Sequence, residues 1–303
     1  MHIVLTGLNH KTAPLVVRER VSFPKDRLSD ALPKLTEAIG QGVILWTCNR
    51  TEVYGVSEQP DRTASEIRRY IAAYNDIDVG DIEPYLYDLT DLDATVHLFK
   101  VASGLDSMIL GESQILGQVR DALTAASDSK SLEAPLSRLF HRAIRTGRRV
   151  RDQTEVGRNA LSISYAGVQL AETVVGSLRG LTVLLVGAGE AGQLVARALR
   201  SSGAADLVIA NRTDARADEL TKELGGRVVL YADVSESLAK VDVVIAATEA
   251  PEHVLDMEMV GAAMAERGSR ELLLLDLSVP RNIDPLTESI AGVRLFNIDD
   301  LSG

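Results

Sequence analysis

The stretch LTVLLVGAGEAGQLVARAL, residues 181–199, decides the fold of the second half of this chain. An uncharged apolar run ends at Gly187, and apolar residues then recur at helical spacing, which predicts a buried strand, a tight turn and a helix. The turn reads G-x-G-x-x-G, in which the first glycine permits the bend, the second lets backbone approach a pyrophosphate, and the third lets helix pack on strand. The unpaired N–H groups at the helix N-terminus then bind the phosphates. We therefore expect a dinucleotide site on this turn, formed by Gly187, Ala188, Gly189, Glu190, Ala191 and Gly192.

The next strand indicates which dinucleotide binds. Apolar residues from Asp206 to Ala210 predict this strand, which ends at Asn211, Arg212 and Thr213. An NAD site usually places an acidic residue there, about 20 residues after the glycines, for the ribose 2′-hydroxyl. A guanidinium in that place pairs instead with a 2′-phosphate, so these three residues predict NADPH. The alternative is a surface arginine, with Thr213 as the N-cap of the next helix.

Four more apolar segments continue the strand series and alternate with predicted helices. This alternation predicts a Rossmann-type, doubly wound parallel sheet, whose ligands bind at the carboxyl ends of the strands. The segments are 227–230, 241–247, 271–276 and 293–296.

The first 156 residues show a different pattern, in which short strands, hairpins and helices favour a small α+β domain over a second Rossmann unit. We place the domain boundary at Gly157, so that residues 1–156 form a catalytic domain and residues 157–303 form the NADP-binding domain with its leading helix. An acidic and mostly irregular stretch is expected between Tyr74 and Asp93. The predicted strands are 1–8, 42–46 and 52–56, and the predicted helices are 29–39, 65–74, 94–101 and 136–151.

Length and composition limit the class of protein. A chain of 303 residues has room for two domains that each bury a core. Neither a signal-peptide pattern nor a bilayer-length apolar stretch occurs, so we expect a soluble cytoplasmic protein without a membrane partner. A single cysteine excludes an internal disulfide, and the five histidines lack metal-ligand spacing, so we expect no metal. The net charge of −11 with few lysines has two interpretations, adaptation to a high-salt interior or an ordinary acidic protein.

Cys48 is the candidate nucleophile. It follows a predicted buried strand and is flanked by Thr47, Asn49 and Arg50, which are able to bind an anionic substrate. We expect the neighbouring guanidinium to lower the pKa of the thiol, because the thiolate is the reactive form. The alternative is a small buried hydrophobic residue, which fits poorly with the polar neighbours. A thiol combined with NADPH implies a thioester or thiohemiacetal that is reduced by hydride.

A glycine-rich stretch, residues 104–118, forms the second candidate region. Its three glycines disfavour a plain helix and predict close backbone approach, because each costs roughly 1 kcal/mol relative to alanine. Farther on, Gln114, Gln118 and Asp121 share one helical face. This face is either a recognition surface for an amine, a carboxylate or hydroxyls, or a solvated helix face.

A third feature is a basic stripe on the helix predicted over 136–151. Its arginines are spaced to share one side of the helix, and such clustered cations are typical of phosphate binding. The alternative is a solvated face paired with the abundant carboxylates. We define the arginine stripe as Arg138, Arg142, Arg145 and Arg149, with His141, Arg148 and Arg151 nearby.

Six segments taken together resemble the glutamyl-tRNA reductase family. They occur in the family's order and extend from Gly7 to about Leu301, and the TCNR and GLDS…GE motifs are highly specific. The segments are GLNHKTAP (7–14), TCNRTEVY (47–54), the stretch 104–118, GAGEAG (187–192), NRT (211–213) and DLSVPR (276–281).

The resemblance implies a reaction and its residues. Cys48 would attack the ester carbonyl of glutamyl-tRNA and release the tRNA, and hydride from NADPH would reduce the thioester to glutamate-1-semialdehyde, the first step of tetrapyrrole (porphyrin) biosynthesis. It implies NADPH but no metal and no flavin. His97 matches a histidine important for activity, with a satisfied helix histidine as the alternative. The positions that match the family's glutamate site are Thr47, Asn49, Arg50, Ser107, Glu112, Ser113, Gln114 and Gln118.

The resemblance also implies partners. Glutamyl-tRNA is the expected substrate, and the product would be handed over to the glutamate-1-semialdehyde aminomutase. Family members are usually homodimers that continue into a helical dimerisation domain, of which this sequence contains only the first residues, so we expect the dimerisation region to be missing.

Two other functions are compatible with parts of the sequence. An NADPH oxidoreductase similar to shikimate dehydrogenase would need a Lys/Asp pair in the first domain, where Lys11 is the well-placed lysine. That reading leaves TCNRTEVY unexplained. A tRNA- or NADPH-binding module without catalysis would use the arginine stripe and the glycine turn equally well, but it would tolerate Cys48→Ser.

Overall fold

The structure is a computed structural model that describes residues 1–157, 162–204 and 206–301. The chain divides into two compact units, Met1–Ala160 and Leu161–Gly303. The first is α+β and the second contains a parallel Rossmann-type sheet, which confirms the predicted fold class.

An antiparallel sheet forms the centre of the first unit, with the strand order β2-β3-β1-β4 among the described residues. The register pairs Asn9 of β1 with Arg50 of β3, and Thr47 of β2 with the same Arg50. Because Thr47 and Arg50 are paired, Cys48 and Asn49 form a two-residue hairpin connection between β2 and β3. The strands are β1 His2–Asn9, β2 Gly42–Thr47, β3 Arg50–Ser57 and β4 Tyr87–Thr90.

Helices pack around this sheet and bury one apolar core. The last of them, α7, has buried residues at helical spacing on one side, and its Phe140 meets Tyr54 of β3 edge-to-face with ring centroids 5.2 Å apart. Its opposite side carries the arginine stripe. The helices are α1 Leu15–Arg20, α2 Leu28–Ile39, α3 Pro60–Tyr74, α4 Val79–Ile82, α5 Asp91–Ala102, α6 Gln114–Asp128 and α7 Ala134–Gln153.

The stretch expected to be mostly irregular before Asp93 is instead ordered, so this prediction is wrong. It contains α4, strand β4 and the start of α5. Strand β4 escapes sequence recognition because it is a short outer strand whose residues are half-buried or exposed. Its Asp88 accepts a hydrogen bond from Thr6 Oγ1 at 2.7 Å, which ties it to β1.

The second unit contains a parallel sheet with the strand order β10-β9-β8-β5-β6-β7 in the described part of the chain. Its central strands are almost fully buried, as expected for strands covered on both faces by helices. The strands are β5 Thr182–Val186, β6 Asp206–Ala210, β7 Arg227–Val229, β8 Val243–Ala246, β9 Leu272–Asp276 and β10 Val293–Asn297, and the helices are α8 Ile163–Val175, α9 Glu190–Ser201, α10 Asp214–Leu224, α11 Val234–Leu238 and α12 Met257–Arg267.

Among the residues that the structure describes, every helix is too short or too polar to cross a lipid bilayer.

Two helical glycines of the first unit should respond oppositely to alanine. A Cβ on Gly147 of α7 would overlap the carbonyl group of Ala102, so Gly147→Ala should lower the free energy of unfolding by about 1–3 kcal/mol. A Cβ on Gly117 of α6 would meet nothing within 4 Å, so Gly117→Ala should raise it by about 0.5–1 kcal/mol. Urea denaturation of both variants measures the difference, and equal effects would contradict the close packing of α7 on the end of α5.

Candidate active site

Three hydrogen bonds, two to Thr47 and one from His10, hold the Cys48–Asn49 connection. Thr47 Oγ1 accepts from the backbone N–H groups of Asn49 (3.1 Å) and Arg50 (3.2 Å). The backbone N–H of His10 donates to the carbonyl of Asn49 at 2.9 Å. These bonds fix the backbone that carries the Cys48 thiol.

Arg18 of α1 is a functional candidate that the sequence analysis missed. Its side chain is buried, and Nη1 donates to the carbonyl of Cys48 at 2.9 Å and to Oδ1 of Asn49 at 3.2 Å. The signal in the sequence was a charged residue on the otherwise apolar face of a short helix, but no spacing connects it to the TCNR motif. Arg18 thereby fixes the Cys48–Asn49 connection from helix α1.

The environment of the Cys48 thiol differs from the expectation. The side chain is half-buried, and burial together with the charge of Glu112 raises the thiol pKa to about 12. The guanidinium groups of Arg18 and Arg50 act in the opposite direction but do not outweigh those two causes. The prediction that a neighbouring guanidinium leaves the pKa of the thiol lowered is therefore wrong.

A buried carboxylate, Glu52, forms the centre of the polar network beneath the turn. Arg50 Nη1 donates to Oε1 at 2.6 Å, Tyr54 donates to Oε2 at 2.6 Å, and Tyr87 donates to Oε1 at 2.7 Å. Burial by itself raises the pKa of Glu52, but Arg50 and then His97 and Tyr54 hold it well below its usual range. Glu52 lies in the TCNRTEVY motif (47–54), but nothing in the sequence distinguished it from the other residues of a predicted strand.

His97 of α5 belongs to the same network. Its Nε2 lies 2.8 Å from Oε1 of Glu52. Because the Glu52 carboxylate is ionised and only accepts hydrogen bonds, we assign the proton to Nε2 of His97, which leaves Nδ1 as a proton acceptor in the neutral ring.

The connection between α5 and α6 carries the remaining polar groups of the site. Arg50 Nη2 donates to the carbonyl of Asp106 at 2.5 Å and to its Oδ2 at 3.1 Å, while Lys11 pairs with Oδ1. The Ser107 Oγ atom is buried and has no hydrogen-bond partner among the residues that the structure describes. Glu112 is buried, and burial raises its pKa to about 7 against the opposing charges of Arg50 and Arg151. Ser107 and Glu112 are thus polar groups with unused binding capacity.

The helical face predicted from the glutamines is only partly assembled. Gln114 and Gln118 are half-buried in the first turns of α6 and Ser113 is exposed just before it, but Asp121 pairs with Lys25 at 2.8 Å. The expected close backbone approach is absent at Gly117, where a Cβ would have free space.

In the second unit, the glycine turn has the predicted division of roles. Gly187 has φ 112°, and a Cβ on it or on Gly192 would overlap neighbouring carbonyl groups. A Cβ on Gly189 would meet no atom within 4 Å, so the space beside this backbone is open to a ligand. Asn211 Oδ1 accepts from the N–H of Ala188 at 3.0 Å, so this side chain braces the turn.

Two arginines lie near the glycine turn, one directly after β6 and one in the first turn of α10. Arg212 is exposed. Arg216 lines a cavity of about 490 Å³ beside the glycine turn, together with Gly189, Gln193 and three carboxylates, those of Glu190, Glu219 and Glu223. Neither arginine has an ion-pair partner within the described ranges. Arg216 was missed by sequence reasoning, although it lies one helical turn after the NRT motif.

A buried carboxylate also fixes the loop after β9. Asp276 Oδ2 accepts from the N–H groups of Asn282 and Ile283, both at 2.7 Å, and Oδ1 accepts from that of Ser278 at 3.0 Å. Burial raises the pKa of Asp276 to about 6 despite these bonds. The loop therefore has a fixed shape at the carboxyl end of the sheet, where dinucleotides bind in such folds.

Among the described residues, no three His, Cys, Asp or Glu side chains lie close enough together to hold a metal ion. The polar network around Glu52 consists of ion pairs and hydrogen bonds.

The electrostatic effect of Glu112 on the Cys48 thiol predicts how the reactivity of the thiol changes when that charge is removed. Above about pH 7 Glu112 is ionised and raises the pKa of Cys48, so Glu112→Gln should lower that pKa and speed alkylation by iodoacetamide about tenfold at pH 9. Cys48 is the only cysteine, so mass spectrometry of the adduct reports this site alone. The exposed Glu37→Gln is the matched control, and an unchanged rate in Glu112→Gln would contradict the coupling.

Comparison with known proteins agrees with this arrangement. The family model described as glutamyl-tRNAGlu reductase, N-terminal domain, matches residues 6–154, and the one described as shikimate / quinate 5-dehydrogenase matches residues 169–303. The glutamyl-tRNA reductase of Thermodesulfovibrio yellowstonii is 41% identical over 99% of this chain and 72% of its own length. That of Carboxydothermus hydrogenoformans is 43% identical over 99% of this chain and 67% of its own length.

A solved structure leads to the same family. The glutamyl-tRNA reductase from Methanopyrus kandleri is 38% identical and superposes with a TM-score of 0.50, covering 99% of this chain and 72% of that one. The chain belongs to the glutamyl-tRNA reductase family of oxidoreductases.

Proposed function

We propose that this protein reduces the glutamyl group of glutamyl-tRNA to glutamate-1-semialdehyde, the first step of tetrapyrrole synthesis from glutamate, through a thioester on Cys48. The observation that carries the proposal is the single thiol of the chain, held on a braced hairpin turn and within electrostatic reach of the buried carboxylate of Glu112. We assign binding of the glutamyl group to Thr47, Asn49, Arg50, Ser107, Glu112, Ser113, Gln114 and Gln118.

The proposed reaction has two covalent steps. Cys48 Sγ attacks the ester carbonyl carbon, the C–O bond to the tRNA ribose breaks, and the thiol proton ends on the departing ribose oxygen. NADPH, when bound, supplies a hydride to the carbonyl carbon of the thioester. The C–S bond then breaks, which gives the aldehyde and returns the Cys48 thiolate for reprotonation.

Substrate binding itself would activate the thiol. The ionised Glu112 raises the pKa of Cys48, and the α-ammonium group of a bound glutamyl ester placed against Glu112 would offset that charge. His97 would serve proton transfer through Nδ1, since Glu52 occupies its Nε2.

We assign NADPH to the second unit and the chemistry to the first, with the division at residues 156 and 157. Support comes from the open backbone beside Gly189 and from two exposed arginines that suit a 2′-phosphate, Arg212 directly after β6 and Arg216 in the lining of the cavity beside the turn. The phosphate cradle comprises 187–192, and Asn211 and Thr213 shape it from the next strand.

The arginine stripe is proposed to bind tRNA phosphates. Arg138, Arg142, Arg145 and Arg148 are exposed and lack carboxylate partners in the part of the chain that the structure describes, and Arg149 bonds only to Gln153. A solvated face paired with carboxylates, the alternative from the sequence, is therefore not favoured. Hand-over to the aminomutase and homodimer formation stay predictions.

One observation favours a second candidate. The Lys11–Asp106 pair is the acid–base arrangement that an enzyme similar to shikimate dehydrogenase would need. Asp106 is shared with Arg50, however, and that reading gives Cys48 no role. The experiment below separates the two candidates through Cys48.

Glutamyl-tRNA carrying radiolabelled glutamate tests the proposed reaction directly. We expect semialdehyde formation that depends on NADPH, is slower with NADH, and is abolished in Cys48→Ser, because the serine hydroxyl is a far weaker nucleophile. Without a nicotinamide, wild-type protein should still release tRNA in a Cys48-dependent step. Product formation by Cys48→Ser would overturn the thioester, and folded protein with no Cys48-dependent release would indicate a binding module.

Salt dependence of tRNA binding tests the arginine stripe. Removing two phosphate contacts in Arg142→Ala/Arg149→Ala should weaken tRNA binding and reduce the slope of log K against log salt by roughly one to two. Arg69→Ala, an exposed arginine on α3, serves as the control. An unchanged slope would remove the stripe from the tRNA surface.

A further inference from the structure

Arg151 follows the arginine stripe on α7 by sequence, but its side chain is engaged elsewhere. Nη1 donates to the carbonyl of Gly111 at 2.9 Å, and Nη2 donates to the carbonyl of Glu112. Its Nε atom is buried. The guanidinium therefore donates to two consecutive carbonyl groups through both of its terminal nitrogens, so it is directed at the backbone of the protein and not at solvent, where a phosphate ligand would bind.

The two carbonyl groups lie where the chain leaves a loop, residues 104–111, which we call the 104–111 loop. The N–H of Gly111 donates to the carbonyl of Gly104 at 2.8 Å and closes the base of this loop, which we call its neck. Both glycines have positive φ, 76° and 80°. A Cβ on Gly104 would lie 3.0 Å from Arg151 Nη2 and 3.0 Å from Gly111 Cα. Any other residue at position 104 would therefore be both crowded and strained by the positive φ.

The loop so closed carries part of the proposed glutamyl site. It contains Ser107, with its buried and unpartnered Oγ, and Glu112 follows its neck directly. Arg50 holds the loop from the sheet side through the carbonyl of Asp106. Arg151 is the corresponding contact from α7, so the loop is clamped between two guanidinium groups.

Helix α7 is itself anchored close to this point. Gly147, one turn before Arg151, packs against the carbonyl of Ala102 at the end of α5, immediately before the loop begins. The position of the Arg151 fork is thus set by backbone packing rather than by a flexible surface side chain.

We propose that Arg151 is a positioning residue that fixes the 104–111 loop and the backbone of Glu112 for the glutamyl group, and that it does not contact tRNA phosphates. The inference rests on the proposed function, because it assigns a role within that same site. It separates Arg151 from the arginine stripe with which the sequence groups it.

Three variants of the full chain test the inference against the stripe. Arg151→Gln should lower the single-turnover rate of tRNA release at saturating glutamyl-tRNA by about 100-fold, as expected when reacting groups lose alignment. Its dissociation constant for uncharged tRNA and the salt slope should stay within about twofold of wild type, since no phosphate contact is lost. Arg151→Lys should not rescue the rate, because an ammonium group does not replace the two-armed fork. Arg142→Gln should instead change the dissociation constant and the salt slope.

Hydrogen exchange gives a readout independent of activity. In Arg151→Gln, amide exchange over residues 104–112 should accelerate, while the control Arg69→Gln should leave both exchange and turnover at wild-type values. Gly104→Ala loosens the same neck from the other side and should reproduce the slow release with normal tRNA affinity. This second variant decides the matter if Arg151→Gln does not fold.

The failures are distinguishable. A reduced salt slope in Arg151→Gln with a normal rate would overturn the inference and leave the proposed function standing. Normal exchange over 104–112 in Arg151→Gln, or a normal rate in folded Gly104→Ala, would also overturn it. If wild-type protein released no tRNA from glutamyl-tRNA, the proposed function would be refuted. The hydrogen-exchange data would even then support or overturn the role of Arg151 in fixing the 104–111 loop.

Discussion

A carboxylate with no exposure to water, Glu52, joins the parts of the first unit that come from distant regions of the sequence. It pairs with Arg50 from its own strand, and it accepts hydrogen bonds from Tyr87 of β4 and from His97 of α5. A carboxylate buried this deeply is tolerated only when its oxygen atoms accept hydrogen bonds from buried donors. The loss of one partner leaves part of its negative charge uncompensated. Sheet, outer strand and helix are consequently held in one arrangement by the same group that orients the candidate site.

The electrostatics of the site favour binding before chemistry. Glu112 is a carboxylate with a pKa near neutrality, and burial together with that carboxylate raises the pKa of the Cys48 thiol, so the thiol is kept largely protonated. In the proposed reaction, a substrate that carries an ammonium group would offset the charge of Glu112 when it binds, which would couple recognition to activation.

The second unit relies on a different principle. The proposed cofactor site is made mainly of backbone, with Gly187 and Gly192 packed against carbonyl groups and Gly189 left open. Side chains such as Asn211 and Asp276 brace the loops by bonding to backbone N–H groups. Backbone recognition needs particular residue types at fixed spacings, which is why the glycine turn was predictable from one stretch, while the parallel strands followed from their own apolar segments.

What the sequence determined by itself was therefore local: the glycine turn, the parallel strand series, the α+β character of the first half and the position of Cys48 after a strand. In each case the backbone conformation or the burial period dictates residue type within a few neighbours. Only the tertiary structure decided the state of the thiol, the contacts of Arg18 and Glu52, and the engagement of Arg151 with backbone carbonyl groups away from the nearby arginine stripe. Those properties depend on burial and on partners far away in the chain. The residue type of an arginine or a glutamate does not reveal whether its charge is solvated or bound to buried polar groups.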